Sequence, residues 1–410
     1  MKKLSTFIAE EKNLHMEHIE DLILNDGVAG AKQIFAFLSA TRDMLAGHTK
    51  SKVSATVKWD GAPAIFAGVD PRDGKFFVAK KGIFNKNPKV YKSQADIDAD
   101  LSGELAAKFT VALREFRKLG ITHGVYQGDL MFTKGDVRTE TIDDQKFYTF
   151  QPNTIVYAVP VNSILGKTIA KASVGVVWHT TYEGDSFETM KASFGKGIVE
   201  KLKKVGTVWM DDANYKDVSG SATMTAAETE QITKILSQMG TILQKLPREA
   251  VDAFSKDEEL LMRVKAYNNS KVRAGQKITN TVAHVAGLVH YLNDYYMKEE
   301  EKKKTPAGKA AVKSKFKAVF APIARTPAAQ LKMIFDFMNL TVEAKNIIVA
   351  KMNSGASINT FLRTKQGLTV TSPEGYVAVD HLTGGAVKLV DRLEFSKANF
   401  SPDIIKGWQR

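Results

Sequence analysis

The chain has 410 residues, of which 44% are hydrophobic and 25% charged, a balance typical of a globular protein with about two or three domains. It contains no cysteine, which excludes disulfide bonds, thiol catalysis and thiolate metal sites. Basic residues exceed acidic ones by 13, so we expect a polyanionic partner, nucleic acid in preference to a membrane. Because no apolar run is long enough for a membrane span or a signal peptide, we also expect a cytoplasmic location.

The first half of the chain is predicted to begin with helices and to continue mainly as strands. Residues 13–46 fit two helical pieces with a break at 25–27, Asn-Asp-Gly. Apolar and polar residues then alternate over 53–58, which predicts a strand with Lys58 on its polar face. The other elements predicted here are a hairpin of strands 64–67 and 76–79, a helix over 96–119, and strands over 124–132, 154–161 and 174–181.

The second half is predicted to be helical before strands resume. We expect helices over 223–246, 248–266, 277–297 and 314–352, then strands over 368–370, 375–379 and 386–390. The predicted domains are a helical segment (1–46), a sheet-rich domain in two parts (47–220 and 356–410), and a helical insertion between them (221–355). The charge run that begins at 298 predicts a Lys-rich linker near 298–315.

Short motifs that carry lysine, acidic or aromatic residues lie on the predicted strands in a fixed order. They are Lys-Trp-Asp-Gly (58–61), Ala-Lys-Lys-Gly (79–82), Tyr-Gln-Gly-Asp-Leu (126–130), Val-Val-Trp-His (176–179), Glu-Gly-Tyr-Val (374–377) and Val-Lys-Leu (387–389). In this order they resemble the collinear motifs of the covalent nucleotidyltransferase superfamily, which contains ATP-dependent DNA and RNA ligases and mRNA-capping enzymes. The motifs cover only about residues 53–182 and 368–397.

The resemblance implies an α+β fold of the ligase type, with ATP-grasp-like antiparallel sheets and flanking helices. The helical insertion would interrupt this fold. We expect no C-terminal oligonucleotide-binding (OB) barrel, because only about twenty residues follow Lys388. RNA ligases carry varied extra domains in place of the barrel, so the resemblance slightly favours RNA over DNA as the acceptor.

The resemblance also implies a role for each motif residue, with ATP and Mg²⁺ as cofactors. Lys58 would be the nucleophile that carries AMP as a phosphoramide, since a lysine amine can attack phosphorus. Asp60, Gly61 and Lys80 would bind the nucleotide, and Trp178 would stack on adenine. Glu374 would bind Mg²⁺, and Asp129 would contact the ribose or the water shell of the metal. Lys388 would contact the α-phosphate. Trp178 is equally well interpreted as a core residue, and Lys80 as a solvated charge.

Several positions depart from the superfamily pattern. Pro63 stands where many members have arginine, Lys80 replaces arginine, and Asp129 replaces glutamate. Val390 stands where a second lysine is usual. The resemblance as a whole predicts a ligase that seals 5′-phosphorylated nucleic acid ends. Because of these departures, two alternatives stay open. One alternative is a capping-type or other nucleotidyltransferase, and another is a catalytically degenerate protein that binds nucleic acid or acts in phage assembly.

Residues 15–21 and 76–85 resemble uncharacterised proteins of large tailed phages, which would place the protein in the host cytoplasm. Two weaker candidate sites remain. His15 and His18, with Glu17 and Glu20, could be imagined as metal ligands, although surface histidines near a terminus are commoner. Basic residues of the insertion could touch a phosphate backbone or lie at a solvated helix end; they are Lys265, Lys271, Arg273 and Lys277.

Overall fold

The computed structural model of the chain describes residues 17–47, 53–194, 197–213, 223–354, 358–380 and 386–409. The strands are β1 (Glu17–His18), β2 (Val53–Lys58), β3 (Ala64–Val69), β4 (Phe76–Ala79), β5 (Val125–Thr133), β6 (Arg138–Ile142), β7 (Gln145–Phe150), β8 (Ile155–Pro160), β9 (Val174–Glu183), β10 (Lys191–Phe194), β11 (Val208–Asp212), β12 (Asn359–Thr364), β13 (Gly367–Val370), β14 (Gly375–Asp380) and β15 (Ala386–Leu389). The helices are α1 (Leu22–Leu45), α2 (Gln94–Asp100), α3 (Gly103–Phe116), α4 (Ile164–Lys171), α5 (Ala226–Lys245), α6 (Arg248–Val251), α7 (Glu258–Arg273), α8 (Thr281–Glu301), α9 (Pro306–Arg325), α10 (Ala328–Asn353) and α11 (Arg392–Phe400).

The strands form three sheets, and most neighbouring strands in them are antiparallel. Sheet A has the order β1-β15-β14-β2, sheet B the order β10-β9-β5-β3-β4 with β11 beside β9, and sheet C the order β13-β12-β8-β7-β6. The pairs β1–β15 and β9–β11 are parallel. The predicted mixture of helices and antiparallel sheets is therefore confirmed at the level of an α+β fold.

Sheets A and C each combine strands from distant parts of the chain. In sheet A, β2 pairs with β14, and in sheet C, β8 pairs with β12. The helices α5 to α10 lie between these partners in the sequence. Long-range pairing thus brings the motifs near residue 58 and near residue 375 onto adjacent strands.

One face of sheet A packs against the helices and forms the largest hydrophobic core. Ala55, Tyr376 and Leu389 contribute from the sheet, and apolar residues of α1, α5, α7, α8 and α10 contribute from the other side. The alternation predicted for 53–58 leaves Lys58 on the opposite face, because side chains of a strand alternate between faces. Burial of the apolar face therefore determines that Lys58 points away from the helices.

The predicted break in the N-terminal helix is confirmed at Gly27, which has φ +57° and ψ −129° inside α1. A β-carbon at Gly27 would lie 2.1 Å from Asp252 Oδ1, so only glycine fits there. The carboxylate of Asp252 also accepts a hydrogen bond from the Val28 N–H at 3.1 Å. The break thus lets the N-terminal helix dock on the segment after α6.

The predicted Lys-rich linker is wrong for most of its length. Helix α8 continues into the charge run as far as Glu301, and α9 begins at Pro306, so residues 302–305 alone connect the two helices. Thr305 caps α9 by accepting a hydrogen bond from Gly308 N–H, and proline suits the first position of a helix. A run of charged residues does not end a helix by itself, whereas this capping signal starts one.

Two long helices predicted in the insertion are each divided. The segment 248–266 contains the short α6 and then α7, and the segment 314–352 is divided between α9 and α10 at Thr326 and Pro327. Proline at 327 cannot continue the preceding helix and disfavours helical geometry at the residue before it. No helix among the described ranges has the length and apolar character needed to cross a membrane.

Candidate active site

The site is built around an ion pair between the ends of two adjacent strands. Lys58 is the last residue of β2, and it lies opposite Gly375, the first residue of β14. Glu374 directly precedes that glycine, and its carboxylate pairs with the Lys58 ammonium group. The side chain of Glu374 is 9% exposed and that of Lys58 is 26% exposed, so solvent reaches the lysine more easily.

The backbone at Gly375 explains why glycine follows Glu374. Its φ is +146°, and a β-carbon there would lie 2.6 Å from the carbonyl oxygen of Leu389. A larger residue would therefore push β14 away from β15. The tight pairing of β14 and β15 holds the carboxylate of Glu374 at the edge where Lys58 ends.

Asp60 anchors the loop that follows Lys58. Its carboxylate accepts hydrogen bonds from the backbone N–H groups of Thr154 (2.7 Å) and Ile155 (2.8 Å) and from the side-chain amide of Asn153 (2.6 Å). The N–H of Asp60 donates to the Tyr157 hydroxyl at 2.7 Å. The structure thus gives Asp60 a positioning role: it fastens the lysine loop to β8. Its predicted contact with a nucleotide stays a prediction.

Gly61 lets strand β5 approach the lysine loop. A β-carbon at Gly61 would lie 2.4 Å from the β-carbon of Asp129 and 3.0 Å from Met131 Sδ. The absence of a side chain therefore brings Asp129 to the site. Burial is the main cause that raises the pKa of the Asp129 carboxyl to about 7; Lys58 opposes this increase, and the charge of Asp60 contributes to it.

Glu374 is perturbed in the same way as Asp129. The pKa of its carboxyl is raised to about 7, mainly by burial and in part by the charges of Asp60 and Asp129, against the opposing effect of Lys58. The two carboxyls therefore titrate near neutral pH and sense each other's charge. Perturbed acids gathered around one lysine are a pattern that marks functional sites more often than structural ones.

Lys388 shares the site face of sheet A with Lys58. It lies opposite Val377 on β14, and Val377 lies opposite Thr56 on β2. Its neighbours Val387 and Leu389 belong to the core on the other face. Burial and the charge of Lys58 lower the pKa of Lys388. The structure thus brings Lys58, Glu374, Asp129 and Lys388 together as the sequence predicts.

The N-terminal strand β1 supports Lys388 from the other side, and this contact was not predicted. His18 pairs with Lys388 in the parallel register of β1 and β15. Beyond it, Glu20 binds Lys345 in a buried ion pair, and Asp21 binds Arg392 at 3.1 Å. A two-residue strand has no periodicity that a sequence pattern could reveal, so only the fold shows it.

Trp178 is not at the site. Its ring is fully buried and packs against Phe116 and Tyr126 at centroid distances of 5.2 and 6.2 Å, on the face of sheet B that α3 covers. A fully buried ring cannot stack on a bound nucleotide. The interpretation of Trp178 as a core residue therefore replaces the predicted stacking role.

His179, the next residue, faces the site instead. Side chains alternate along β9, so Trp178 lies on the core face of Val176 and His179 lies on the face of Val177, which is opposite Asp129. His179 Nε2 lies 3.9 Å from Asp129 Oδ2, and burial and then Lys58 lower the pKa of this histidine to about 4. The Trp-His pair is visible in the motif, and the alternation of the strand is the signal that distinguishes its two members.

Lys80 lies apart from the other motif residues. Its ammonium group pairs with Asp100 at 3.1 Å, and Asp100 also accepts hydrogen bonds from Tyr91 and Lys89. Among the described residues, Lys80 has no ion pair or hydrogen bond with Glu374 or Asp129. Its nucleotide-binding role stays a prediction without a contact to support it.

The structure places most of the residues of the two weaker candidate sites in contacts with other parts of the protein. His15 lies outside the described residues, and burial lowers the pKa of His18 to about 3. Of the predicted phosphate-binding residues, Lys265 pairs with Glu17 at 3.0 Å, and Lys271 lies over the ring of Tyr267. Across the described ranges, no group of three or more acidic or histidine residues could hold a metal by itself.

The pKa of Asp129 leads to a testable dependence of stability on pH. Because the folded state holds the proton more tightly than the unfolded chain, the charged carboxyl costs stability as pH rises from about 4 to 7. Asparagine does not titrate, so the stability of Asp129→Asn relative to wild type should increase over that range and be constant above it. Since the Asp129 side chain is 24% exposed, we expect this difference in the free energy of unfolding to increase by about 1 to 2 kcal/mol, as measured by urea denaturation. A difference that is independent of pH between 4 and 8 would show that burial does not perturb this carboxyl.

A protein-family model described as a family of unknown function, DUF6267, matches residues 13–403. No curated protein and no solved structure gives a significant match to the chain. The match covers nearly the whole chain, and the chain therefore belongs to the family DUF6267.

Proposed function

We propose that this protein is an ATP-dependent polynucleotide ligase-like enzyme that forms a lysyl-AMP at Lys58. The observation that carries the proposal is the meeting of Lys58 and Glu374. These residues lie more than 300 positions apart in the chain, yet they form an ion pair at adjacent strand ends. Lys388 and Asp129 complete a site with two lysines and two acids, which is the set that the superfamily resemblance assigns to nucleotidyl transfer.

In the proposed first step, the unprotonated amine of Lys58 attacks the α-phosphorus of ATP. A nitrogen–phosphorus bond forms, the bond from the α-phosphorus to the bridging oxygen breaks, and pyrophosphate leaves. The lysine must give up a proton, and Glu374 is the carboxylate paired with it. With a pKa of about 7, Glu374 can accept that proton near neutral pH, and it would pass the proton to solvent before it holds Mg²⁺.

Lys388, together with Mg²⁺ held by the two acids, would offset the negative charge of the triphosphate. Lys388 lies on the same face as Lys58 and can place a cation on the α-phosphate, where negative charge develops in the transition state. Mg²⁺ in enzymes that act on nucleotides is usually held by one or two carboxylates together with the substrate phosphates, and Glu374 and Asp129 fit that requirement. Bound there, Mg²⁺ would offset the charge of the phosphates.

His179 is our candidate for the residue beside the base or ribose, in place of Trp178. It is held by a hydrogen bond between its Nδ1 and the Thr180 hydroxyl at 2.7 Å, and its other nitrogen faces Asp129. A neutral imidazole ring can pack against a purine without adding a charge. The low pKa of His179 keeps the ring neutral at physiological pH.

In the second stage, AMP would pass from Lys58 to the 5′-phosphate of a nucleic acid, and attack by a 3′-hydroxyl would seal the ends and release AMP. The net charge of +13 suits a polyanionic acceptor. RNA is slightly preferred over DNA on the strength of the resemblance.

Covalent labelling tests the proposal. The protein is incubated with Mg²⁺ and ATP or GTP labelled at the α-phosphate, then denatured, and the label retained on the chain is measured. We expect retention from ATP, and release of the label as AMP when a 5′-phosphorylated acceptor is added. Retention from GTP alone would favour a capping-type enzyme, and no retention from either nucleotide would overturn the catalytic proposal.

A further inference from the structure

The most basic stretch of the chain lies on α9 and the turn before it. Residues 302–325 contain eight basic residues and no acidic residue. Three glutamates at 299–301 offset part of this charge, since Glu299 pairs with Lys302 and Glu300 with Lys313. The charge run predicts a linker over much of this segment, whereas in the structure residues Pro306–Arg325 form helix α9.

Four of these lysines are exposed and have no ion-pair partner within the described part of the chain. They are Lys303, Lys304, Lys309 and Lys317, and we call these four the α9 lysine surface. On the helix, Lys309 and Lys317 are eight residues apart and so lie in one row along its side. The face of α9 next to this row is small and exposed: Ala307, Ala310, Ala311, Ser314 and Ala318. The opposite side of α9 packs into the helical core through Val319 and Ile323. A partner can therefore approach the helix closely while the lysines reach it.

The start of α9 carries basic residues and no acidic residue. Helices α2, α3, α5 and α7 have acidic residues in the first turn, as the helix dipole favours, whereas α1, α4, α8, α9 and α10 have none. At α9, lysines also precede and follow the first turn. These cations add to the positive end of the dipole instead of opposing it. The arrangement costs helix stability, and a bound anion would offset that cost.

Helix α9 is connected to the surroundings of the candidate active site through α7. Lys315 pairs with Glu259 near the start of α7, and ten residues further on Asn269 is hydrogen-bonded to Arg392 at the start of α11. Ten residues of helix span about 15 Å. Helix α7 thus links α9 to Arg392, which follows Lys388 by four residues.

We propose that the α9 lysine surface binds the phosphate backbone of a nucleic acid. The proposal rests on the proposed function only in the choice of nucleic acid over another polyanion, because binding requires no reaction at Lys58. Lysine contacts to phosphates carry no sequence information, so the surface provides affinity and orientation without sequence preference.

Charge removal at matched positions tests this surface. The test variant is Lys304→Gln/Lys309→Gln/Lys317→Gln, and the control is Lys146→Gln/Lys167→Gln/Lys171→Gln, three exposed lysines on β7 and α4. Binding of a fluorescent single-stranded RNA and DNA of mixed sequence is measured over a series of salt concentrations, without ATP or Mg²⁺. We expect the test variant to bind at least about tenfold more weakly at low salt. The slope of log affinity against log salt should decrease by about 2 to 3.

The outcomes separate this proposal from the chemistry at Lys58. Equal binding by the two variants, whether both retain affinity or both lose it, would overturn the assignment of the surface. Polyglutamate is a second polyanion for comparison. If the protein binds it as tightly as RNA, and the test variant loses the same affinity for both, nucleic acid is not the specific partner and that assignment is overturned. Circular dichroism of both variants checks folding, and Lys304→Arg/Lys309→Arg/Lys317→Arg should restore binding, since it restores the charge alone.

Discussion

Replacing Lys58 by arginine should reduce the amount of label that ATP leaves on the protein by about a thousandfold or more, while the protein remains folded. The guanidinium group keeps the positive charge that pairs with Glu374, but it stays protonated and cannot attack phosphorus. Labelling and the thermal unfolding midpoint would be measured on the same preparations. Loss of labelling with an unchanged midpoint would separate chemistry from folding.

Two further variants complete this prediction. Lys58→Ala should also lose labelling, and it should in addition lose some stability because it leaves the Glu374 carboxyl without its partner. Lys75→Ala is the matched control, since Lys75 is exposed between β3 and β4. Full labelling of Lys58→Arg would contradict the assignment of the nucleophile.

Replacing Lys345 by methionine should destabilise the protein by about 3 to 5 kcal/mol, because it leaves the buried carboxylate of Glu20 without its main partner. The Lys345 side chain is 1% exposed and that of Glu20 is 5% exposed, with a distance of 3.0 Å between Nζ and Oε1. Burial alone would raise the pKa of Glu20, but Lys345 and the other nearby cations outweigh it and lower the pKa to about 2. The free energy of unfolding would be measured by urea denaturation.

The double variant Glu20→Gln/Lys345→Met gives the internal comparison. It removes both charges, so it should recover a large part of the stability that Lys345→Met loses. Lys332→Met on the same helix is the control, because its pair with Asp336 is only partly buried, with side chains 41% and 26% exposed, and contributes about 1 kcal/mol or less. Equal losses in Lys345→Met and Lys332→Met would show that the buried pair does not hold the N-terminal segment to α10.

Much of the catalytic arrangement could be predicted from the sequence because strand periodicity governs it. Alternation over 53–58 placed Lys58 on the face opposite the core, and Lys388 follows the same rule between Val387 and Leu389. The glycines after Glu374 and after Asp60 were visible as motif positions. Their physical reasons, close approach to Leu389 and to Asp129, emerge only from the fold.

Other parts of the site could not be predicted, for identifiable physical reasons. The nearness of His179 to Asp129 depends on the register of β5 and β9, and no local pattern gives the register of two strands that are distant in the sequence. The contact of Glu20 with Lys345 joins residues more than 300 positions apart, and no local rule links them. The linker prediction is wrong because Thr305 and Pro306 form a capping signal that starts α9 directly after the charge run.

The most direct test of the central claim is to identify the residue that carries the nucleotide. The protein is incubated with ATP and Mg²⁺, digested with protease, and the modified peptide is sequenced by mass spectrometry under conditions that preserve the nitrogen–phosphorus bond. We expect one AMP group on Lys58, in the peptide that contains Trp59 and Asp60. An AMP group on another residue, or an unmodified Lys58 peptide under conditions where ATP is bound, would contradict it.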